Sequence, residues 1–222
     1  MGIEGNFRQI SPPLLEIVRQ DLYMLNLYLH AKESIETAEI QYLPTYLRDE
    51  NLHGDLDAIL ADDQWRIGRL DIDSDWHAMH YLLTEDASSW EECKLPFVVT
   101  KHKSKNWLLI NAVMGGTAIE ETTGGFMDFA PVRYLAQPET QIISEAFLQI
   151  SEKEFKYRYE EACECNPKVF RGIRDGEFED YWYRFRCISE YYKVAVQMNR
   201  GMLLYLGCFY GVDFEWEDIP IE

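Results

Sequence analysis

The chain has 222 residues with 21 Lys+Arg against 39 Asp+Glu, which gives a formal net charge of −18. This length is typical of one domain, and a hydrophobic content of 47% is enough to form a core. An acidic surface repels the phosphates of nucleic acids and of anionic membranes, so the charge argues against both kinds of partner. The excess charge either serves solubility or attracts a basic protein or a cation.

The first residues and the cysteines predict a cytoplasmic location. Met1 is followed by a segment with neither the basic nor the apolar region of a signal peptide. The longest weakly polar run, residues 201–212, is shorter than the roughly 20 residues that span a bilayer. The cysteines are odd in number and none has a redox or usual zinc spacing, which favours reduced thiols at Cys93, Cys163, Cys165, Cys187 and Cys208.

The N-terminal part predicts one strand followed by helices. Residues 3–7 are typical of a short opening strand. Ser11 is a good N-cap before two prolines, and the apolar residues that follow recur at helical spacing as far as Leu29. Residues 33–60 are interrupted by Pro44 and predict two short helices.

The central stretch, residues 66–84, predicts a strand and then an amphipathic helix that begins near Asp73 or Ser74. Residues 97–99 predict a buried strand. Residues 107–114 predict either the second strand of a hairpin or a helical segment. Two Gly-Gly pairs then bracket a polar loop, and residues 132–135 predict a further strand.

The C-terminal third is predicted to be largely helical. One helix opens at Pro138, and Ser151 begins a capping box for the next. The longest helix is predicted over residues 177–199, with Gly201 just past its end and a strand over residues 202–209. Its apolar stripe comprises Phe178, Tyr181, Trp182, Phe185, Ile188, Tyr192, Ala195 and Met198. These elements predict an α+β fold: a single domain with a small mixed sheet packed by several helices, and a long C-terminal helix followed by a strand.

Asp73, His77 and His80 are the candidate catalytic residues of the central helix. At 100° per residue they project from one edge of that helix, as in a two-histidine, one-carboxylate metal set or an acid–base site. A structural interpretation competes with this one, because Asp73 is a suitable N-cap and His80 borders the apolar face. Arg133 is predicted to reach an anion or a carboxylate at a pocket, with an internal salt bridge as the alternative.

No motif in the chain predicts a metal site or a cofactor. Asp71, Asp73 and Asp75 alternate as in a calcium loop, but Trp76 and Leu82 occupy the positions that need Gly and Glu. The Gly-Gly pairs lack the pattern of a phosphate loop, and no GxSxG sequence occurs.

Aromatic residues are candidates for a partner-binding face. The long C-terminal helix carries aromatic side chains on more than one face, and Tyr183 and Tyr191 suit contact with a partner. Trp76 is the third candidate binding residue.

Several blocks of the sequence resemble the YfbM-like family of small, uncharacterised bacterial proteins. They are MGIEGNF at residues 1–7 with Ser11-Pro12, LDID at 70–73, WH at 76–77, HYLLT at 80–84, Gly115-Gly116, APVRYL at 130–135 and GMLLYL at 201–206. The resemblance implies a single α+β domain over residues 1–222, bacterial and intracellular, with no established activity and no assigned catalytic residues. Residues 33–66 and 101–105 exceed the family pattern and are candidate insertions, where function particular to this member would lie.

Three functional hypotheses remain open on this sequence. The leading one is a non-catalytic acidic protein-binding module, including an immunity protein that masks a basic toxin, and it depends on the charge. The alternative is a hydrolase with a pocket formed by Asp73, His77, His80 and Arg133. A purely structural or oligomer-forming protein is the third. The sequence leaves the partner, the substrate and the oligomeric state open.

Overall fold

A computed structural model of the chain describes residues 3–36, 69–87, 107–113, 115–119 and 131–207. Some of the sequence predictions lie outside these residues. They are the strand at 97–99, the candidate insertion at 101–105, most of the candidate insertion at 33–66, the second Gly-Gly pair and the end of the last strand.

Within the described residues, five strands form one sheet in the spatial order β2-β1-β5-β4-β3. They are β1 (Glu4–Ile10), β2 (Arg69–Asp71), β3 (Thr117–Ala118), β4 (Arg133–Leu135) and β5 (Gly201–Gly207). All four pairings among the described residues are antiparallel, so the mixed strand direction of the prediction is not seen in this part of the chain. Composition and hydrophobic pattern do not fix strand direction, because both kinds of strand alternate side chains with the same period. The predicted α+β class is confirmed.

The centre of the sheet is the pair β1 and β5, which align from Glu4 opposite Gly207 to Ile10 opposite Gly201. Successive side chains of a strand point to opposite faces. Phe7 therefore shares one face with Leu204, and Arg8 shares the other face with Leu203. We call these the Phe7 face and the Arg8 face of the sheet.

Helices cover both faces of the sheet. The described residues form α1 (Pro12–Val18), α2 (Leu22–Glu36), α3 (Trp76–Thr84), α4 (Gln137–Phe147), α5 (Glu152–Cys165) and α6 (Phe178–Gln197). α1 and α2 cover the Arg8 face, where Leu25 and Tyr28 belong to the same apolar cluster as Leu203. α3 to α6 cover the Phe7 face and contribute to a larger cluster with Phe7 and Leu204.

The first helical region is divided in two, which corrects the prediction of one helix as far as Leu29. α1 begins as predicted, since Ser11 Oγ accepts the N–H of Leu14 at 3.3 Å. α1 then ends at Val18, and Asp21 starts α2 by accepting the N–H groups of Tyr23 and Met24 at 2.9 and 3.2 Å. An aspartate in this position satisfies N–H groups that a continuous helix would have bonded itself.

The C-terminal helices lie where the sequence predicts them. Ser151 Oγ accepts the N–H of Glu154 at 3.2 Å and caps α5. α6 is the longest of the described helices, and its inner face is buried against the sheet and the neighbouring helices. Met198 was predicted to end its apolar stripe, but it lies just past the helix and is 51% exposed.

Gly201 has a different role from the predicted one of ending α6. The left-handed residue after α6 is Asn199, with φ 56°. Gly201 instead begins β5, where an added Cβ would lie 2.5 Å from the carbonyl oxygen of Leu135. The glycine therefore permits the close approach of β4 to β5.

Residues 107–113 do not form the predicted hairpin strand. Trp107–Leu109 forms a 3-10 turn, which is nearer to the helical alternative. Gly116 follows with φ 98°, and an added Cβ there would lie 2.4 Å from the carbonyl oxygen of Tyr134. The first Gly-Gly pair thus supplies a backbone conformation that side chains disfavour.

Candidate functional site

The junction between β2 and α3 brings the central acids together in a tight turn. Asp71 Oδ1 accepts the N–H of Asp73 at 2.6 Å, and Asp73 takes a left-handed φ of 54°. Asp73–Asp75 is a 3-10 turn, and α3 begins only at Trp76. The prediction that Asp73 caps α3 is wrong, because the residue before the helix is Asp75 and it makes no side-chain cap bond. The Asp73 side chain is instead 57% exposed.

Trp76 fixes the start of α3 against the sheet. Its side chain is fully buried, and its indole N–H donates to the carbonyl oxygen of Ile3 at 3.0 Å. An added Cβ at Gly5 would lie 2.5 Å from Trp76 Cβ, so the helix and β1 touch at this glycine. A fully buried side chain offers no surface to a partner, which corrects the prediction of Trp76 as a binding residue.

His77, a candidate catalytic residue of the sequence, lies in the core. Its ring is 2% exposed and stacks on Trp76 with ring centroids 5.1 Å apart. Its Nδ1 accepts the backbone N–H of Phe170 at 3.0 Å. A ring nitrogen that accepts a hydrogen bond carries no proton, so this contact favours the neutral tautomer protonated at Nε2. His77 therefore joins α3 to the loop that precedes α6.

His80 points to the end of its own helix. The side chain is 1% exposed, and its Nε2 lies 3.2 Å from Asp86 Oδ2. Thr84 supports the same turn, because its hydroxyl donates to the His80 carbonyl oxygen at 2.7 Å and accepts the N–H of Asp86 at 3.2 Å. His77 and His80 thus have different partners on different segments of the chain.

Arg133 is on a different part of the sheet from α3. It is buried on β4, two strands from β1, which is about 9.6 Å at the usual strand spacing. Its Nη1 donates to the carbonyl oxygen of Gly116 at 3.0 Å, beside β3. The structure thus holds two buried histidines and one exposed aspartate on α3 and its turn, and directs the arginine to another strand. The contacts of His77, His80 and Arg133 are made with three different segments of the chain, at Phe170, Asp86 and Gly116.

The cluster that the structure does assemble joins the β2–α3 turn to the loop at residues 166–177. Asp75 Oδ2 accepts a hydrogen bond from Arg174 Nη2 at 2.9 Å, and Arg184 Nε lies 2.9 Å from the same oxygen as an ion pair. Arg171 Nη1 donates to Ser74 Oγ at 2.6 Å. Two arginines therefore share one carboxylate oxygen that is nearly excluded from water, since Asp75 is 4% exposed.

The loop that carries Arg171 and Arg174 is itself held in place. Tyr159 donates its hydroxyl to the carbonyl oxygen of Arg174 at 2.6 Å and accepts the N–H of Glu177 at 3.0 Å. Arg171 and two loop glycines, Gly172 and Gly176, have φ values of 60°, 72° and 83°. A chain in this conformation can turn sharply and present its arginines to the β2–α3 turn. This cluster is not among the predictions from the sequence, where its one local signal is the glycine-rich, charged segment RGIRDGE.

The electrostatics of the cluster centre on Asp75. Burial raises the pKa of the Asp75 carboxyl above its ordinary value of 3.8, while Arg184 and Arg174 act to lower it. The arrangement can hold two segments together through charge-assisted hydrogen bonds, and Arg174 keeps half of its side chain in water.

Stability is expected to depend on pH through Asp75. With a folded-state pKa above the unfolded-state value, the folded protein binds more protons between the two pKa values. The contribution of Asp75 to the free energy of unfolding is therefore largest below its unfolded pKa and falls as the pH rises through its folded pKa. We expect the difference in free energy of unfolding between the natural protein and Asp75→Asn to decrease over this window, as measured by denaturant titration. A difference that grows with pH would contradict the direction of the shift.

The aromatic binding candidates on α6 differ in exposure. Tyr191 is 1% exposed, and its hydroxyl accepts the N–H of Gln9 at 3.1 Å, so it belongs to the interface with β1 and is not a partner-binding residue. Tyr183 is partly buried, and burial raises the pKa of its hydroxyl. Of the three candidates, Tyr183 alone keeps side-chain surface for a partner.

The described residues contain no candidate metal site. Within them no three His, Cys, Asp or Glu side chains are grouped as metal ligands would be. Cys163, Cys165 and Cys187 carry free thiols. In the described part of the chain, no helix has the length and apolar character needed to cross a membrane.

Fold and site together define an α+β protein whose antiparallel sheet lies between two helical layers, with an arginine–aspartate cluster at the β2–α3 junction. The chain matches the family described as Domain of unknown function (DUF1877) over residues 1–205, and it belongs to that family. The resemblance to the YfbM-like family is thereby confirmed.

A solved structure resembles this chain over most of its length. The chain is similar to the crystal structure of YfbM from Escherichia coli, a protein of unknown function, with 16% sequence identity and a TM-score of 0.49. The similarity covers 91% of this chain and 99% of that chain. No curated protein matches the chain.

Proposed function

We propose that the protein is a non-catalytic acidic module that binds a basic partner protein. The observation that carries the proposal is the net charge of −18 on 222 residues. A charge of this size attracts a basic surface over long distances and accelerates association at low salt. The narrowest form of the proposal is an immunity protein that covers the active site of a basic toxin.

The distribution of charge indicates where the partner binds. Residues 131–207, which contain α4 to α6, carry twelve acidic and eleven basic residues and are almost neutral. The rest of the chain carries twenty-seven acidic and ten basic residues. The attraction for a basic partner therefore arises outside residues 131–207, and we place the contact there.

The environment of the candidate catalytic residues is consistent with a non-catalytic role. His77 Nδ1 is occupied by the N–H of Phe170, and both His77 and His80 are at least 98% buried. The hydrolase of the alternative hypothesis is favoured by one contact, between His80 Nε2 and Asp86 Oδ2, since a carboxylate can orient an imidazole for proton transfer. In the hydrolase hypothesis, His80 and Asp86 are therefore the remaining candidate catalytic pair.

The test compares two charge variants of the full chain against a purified basic partner recovered from the native host. In the first, Asp213→Asn, Glu215→Gln and Asp218→Asn remove three charges from the acidic part. In the control, Glu152→Gln, Glu160→Gln and Glu164→Gln remove three exposed charges from the neutral part. We expect the association rate to fall at least about tenfold between low and physiological salt, and to fall further in the first variant than in the control. If the protein is an immunity protein, its co-expression is also expected to protect cells from the toxic partner.

Three outcomes count against the proposal: a recovered partner that is not basic, an association rate that does not respond to salt, or equal effects of the two variants. Each shows that binding does not depend on the acidic part of the chain. Surface plasmon resonance gives the rates, and circular dichroism checks that both variants are folded.

A further inference from the structure

We propose that Arg8 and Asn6 form a buried binding site for a small oxyanion, a carboxylate or phosphate group, on the Arg8 face of the sheet. The site is separate from the acidic surface proposed to bind a protein, and it would make the protein a receptor for a small anionic metabolite. Its evidence is a row of buried polar side chains in a place where a sheet normally packs apolar ones.

The Arg8 face changes character from one side of the sheet to the other. Towards β4 it is apolar, with Leu203 opposite Tyr134 and with Val132 in the same cluster. Towards β2 it is polar, because Arg8 lies opposite Arg69. The other polar neighbours on this side are Asn6, Asp71 and Tyr205, since Asn6 lies opposite both Asp71 and Tyr205. The Phe7 face of the same strands carries Phe7, Leu70 and Leu204.

Arg8 is a buried cation with little of its hydrogen-bonding capacity used. Its side chain is 3% exposed, its Nη1 donates to the carbonyl oxygen of Tyr28 on α2, and its guanidinium lies 5.1 Å from the centre of the Tyr28 ring. Within the described part of the chain, Arg8 Nε is buried and makes no hydrogen bond. No ion pair to Arg8 is found among the described residues either, whereas Arg69 has Asp71 at 3.9 Å. A buried charge that lacks a counter-charge destabilises the fold unless something supplies one.

Asn6 adds a second buried group beside the first. It is 2% exposed, and its Nδ2 donates to the carbonyl oxygen of Glu4 at 3.2 Å, while its Oδ1 is buried without a hydrogen-bond partner in the described residues. Asn6 and Arg8 are two residues apart on one strand, so their Cα atoms are about 6.8 Å apart and their side chains point the same way. Arg8 Nε and Asn6 Oδ1 are thus a buried donor and a buried acceptor on the same face of β1, each without a hydrogen-bond partner in the described residues.

The chemistry of the two groups defines the ligand. A guanidinium is planar, and its Nε–H edge matches the two oxygens of a carboxylate or a phosphate. The Nη1 bond to Tyr28 fixes the guanidinium plane from the other side. The amide oxygen of Asn6 accepts a hydrogen bond from a hydroxyl or amino group next to that anion. We therefore expect a small hydroxy or amino acid, or a phosphate ester with a neighbouring hydroxyl.

The experiment measures the melting temperature of the full chain against inorganic phosphate and against glycolate, a carboxylate with a neighbouring hydroxyl, at constant ionic strength. We expect at least one to raise Tm saturably, by about 5–10 °C at 100 times its Kd for a protein of this size. Asn6→Asp places a carboxylate of the same shape beside Arg8 and supplies the anion internally. This variant is expected to raise the Tm of the unliganded protein and to abolish the response to both probes.

Arg8→Lys and Arg186→Gln complete the set. Arg8→Lys keeps the charge but loses the planar edge of the guanidinium. We therefore expect the Kd obtained from the Tm titration to rise at least about tenfold. Arg186 is exposed on α6, so Arg186→Gln removes one charge far from the site and should respond as the natural protein does. General effects of salts on stability act on all variants alike, so the difference between variants isolates the site. An equal response of the natural protein and Asn6→Asp, or no saturable response to either probe, overturns the proposal. A crystal structure with only water at Arg8 in the presence of both probes does so too.

Discussion

Replacing Trp76 by alanine is expected to lower the free energy of unfolding by about 3–5 kcal/mol, which corresponds to a fall in Tm of about 10 °C. The side chain is fully buried, and it packs on the ring of His77 and on that of Phe170, with centroids 5.1 and 5.7 Å away. Its removal leaves a cavity between α3 and the sheet, and it leaves the Ile3 carbonyl without its donor. Denaturant unfolding monitored by circular dichroism measures the loss.

Trp76→Phe separates the two contributions to this loss. It keeps most of the apolar volume but removes the indole N–H, so we expect a cost of about 1–2 kcal/mol from the unmade hydrogen bond and the smaller ring. Equal stability of the alanine and phenylalanine variants would show that packing at this position contributes little.

Replacing Tyr192 by alanine is expected to cost about 4 kcal/mol, because this side chain connects α6 to three other elements. Its ring is fully buried and meets Phe7 on β1 and Phe147 on α4 edge to face, at 6.4 and 5.3 Å. Its hydroxyl donates to the carbonyl oxygen of Ala112 at 2.8 Å and thereby anchors the turn before β3.

Tyr183→Ala is the matched control for this prediction. The same residue type is deleted from the same helix, but Tyr183 is only partly buried, so we expect a cost below about 1 kcal/mol. If the two alanine variants unfold at the same denaturant concentration, the inner face of α6 does not carry the stability assigned to it.

Local signals in the sequence predict most of the elements. Ser11 and Ser151 mark helix starts because a hydroxyl next to a new helix has free N–H groups within reach. The apolar period of residues 177–199 predicts α6 because one stripe of that helix is buried. Both signals depend only on residues within a few positions of each other.

Contacts between distant parts of the chain account for what the sequence does not predict. The His77 ring accepts its hydrogen bond from Phe170, 93 positions later, and Asp75 meets Arg174, 99 positions later. Nothing in the spacing of α3 indicates either partner, so an exposed-edge histidine and a buried one look alike in sequence. The same holds for Arg133, whose partner Gly116 is determined by strand pairing.

The burial of Arg8 on β1 is likewise not predicted by the local sequence. Alternation over residues 4–10 indicates that Arg8 and Phe7 face opposite sides, and the ordinary inference is that the charged side is in water. α2 covers that side, and Tyr28 packs directly on the guanidinium. Whether helices cover the second face of the sheet depends on how the whole chain folds. The burial of Arg8 therefore could not be inferred from the sequence of its strand alone.

The strand order has a consequence for synthesis on the ribosome. β1 emerges first and β5 about 190 residues later, yet each is the other's principal neighbour at the middle of the sheet. During translation the leading strand must remain without its main pairing surface until the trailing strand has left the exit tunnel, and closing so long a loop is slow. Pairing at the centre of the sheet therefore waits until residues 201–207 have left the tunnel, and a product cut off before residue 201 would lack the strand that joins the two halves of the sheet.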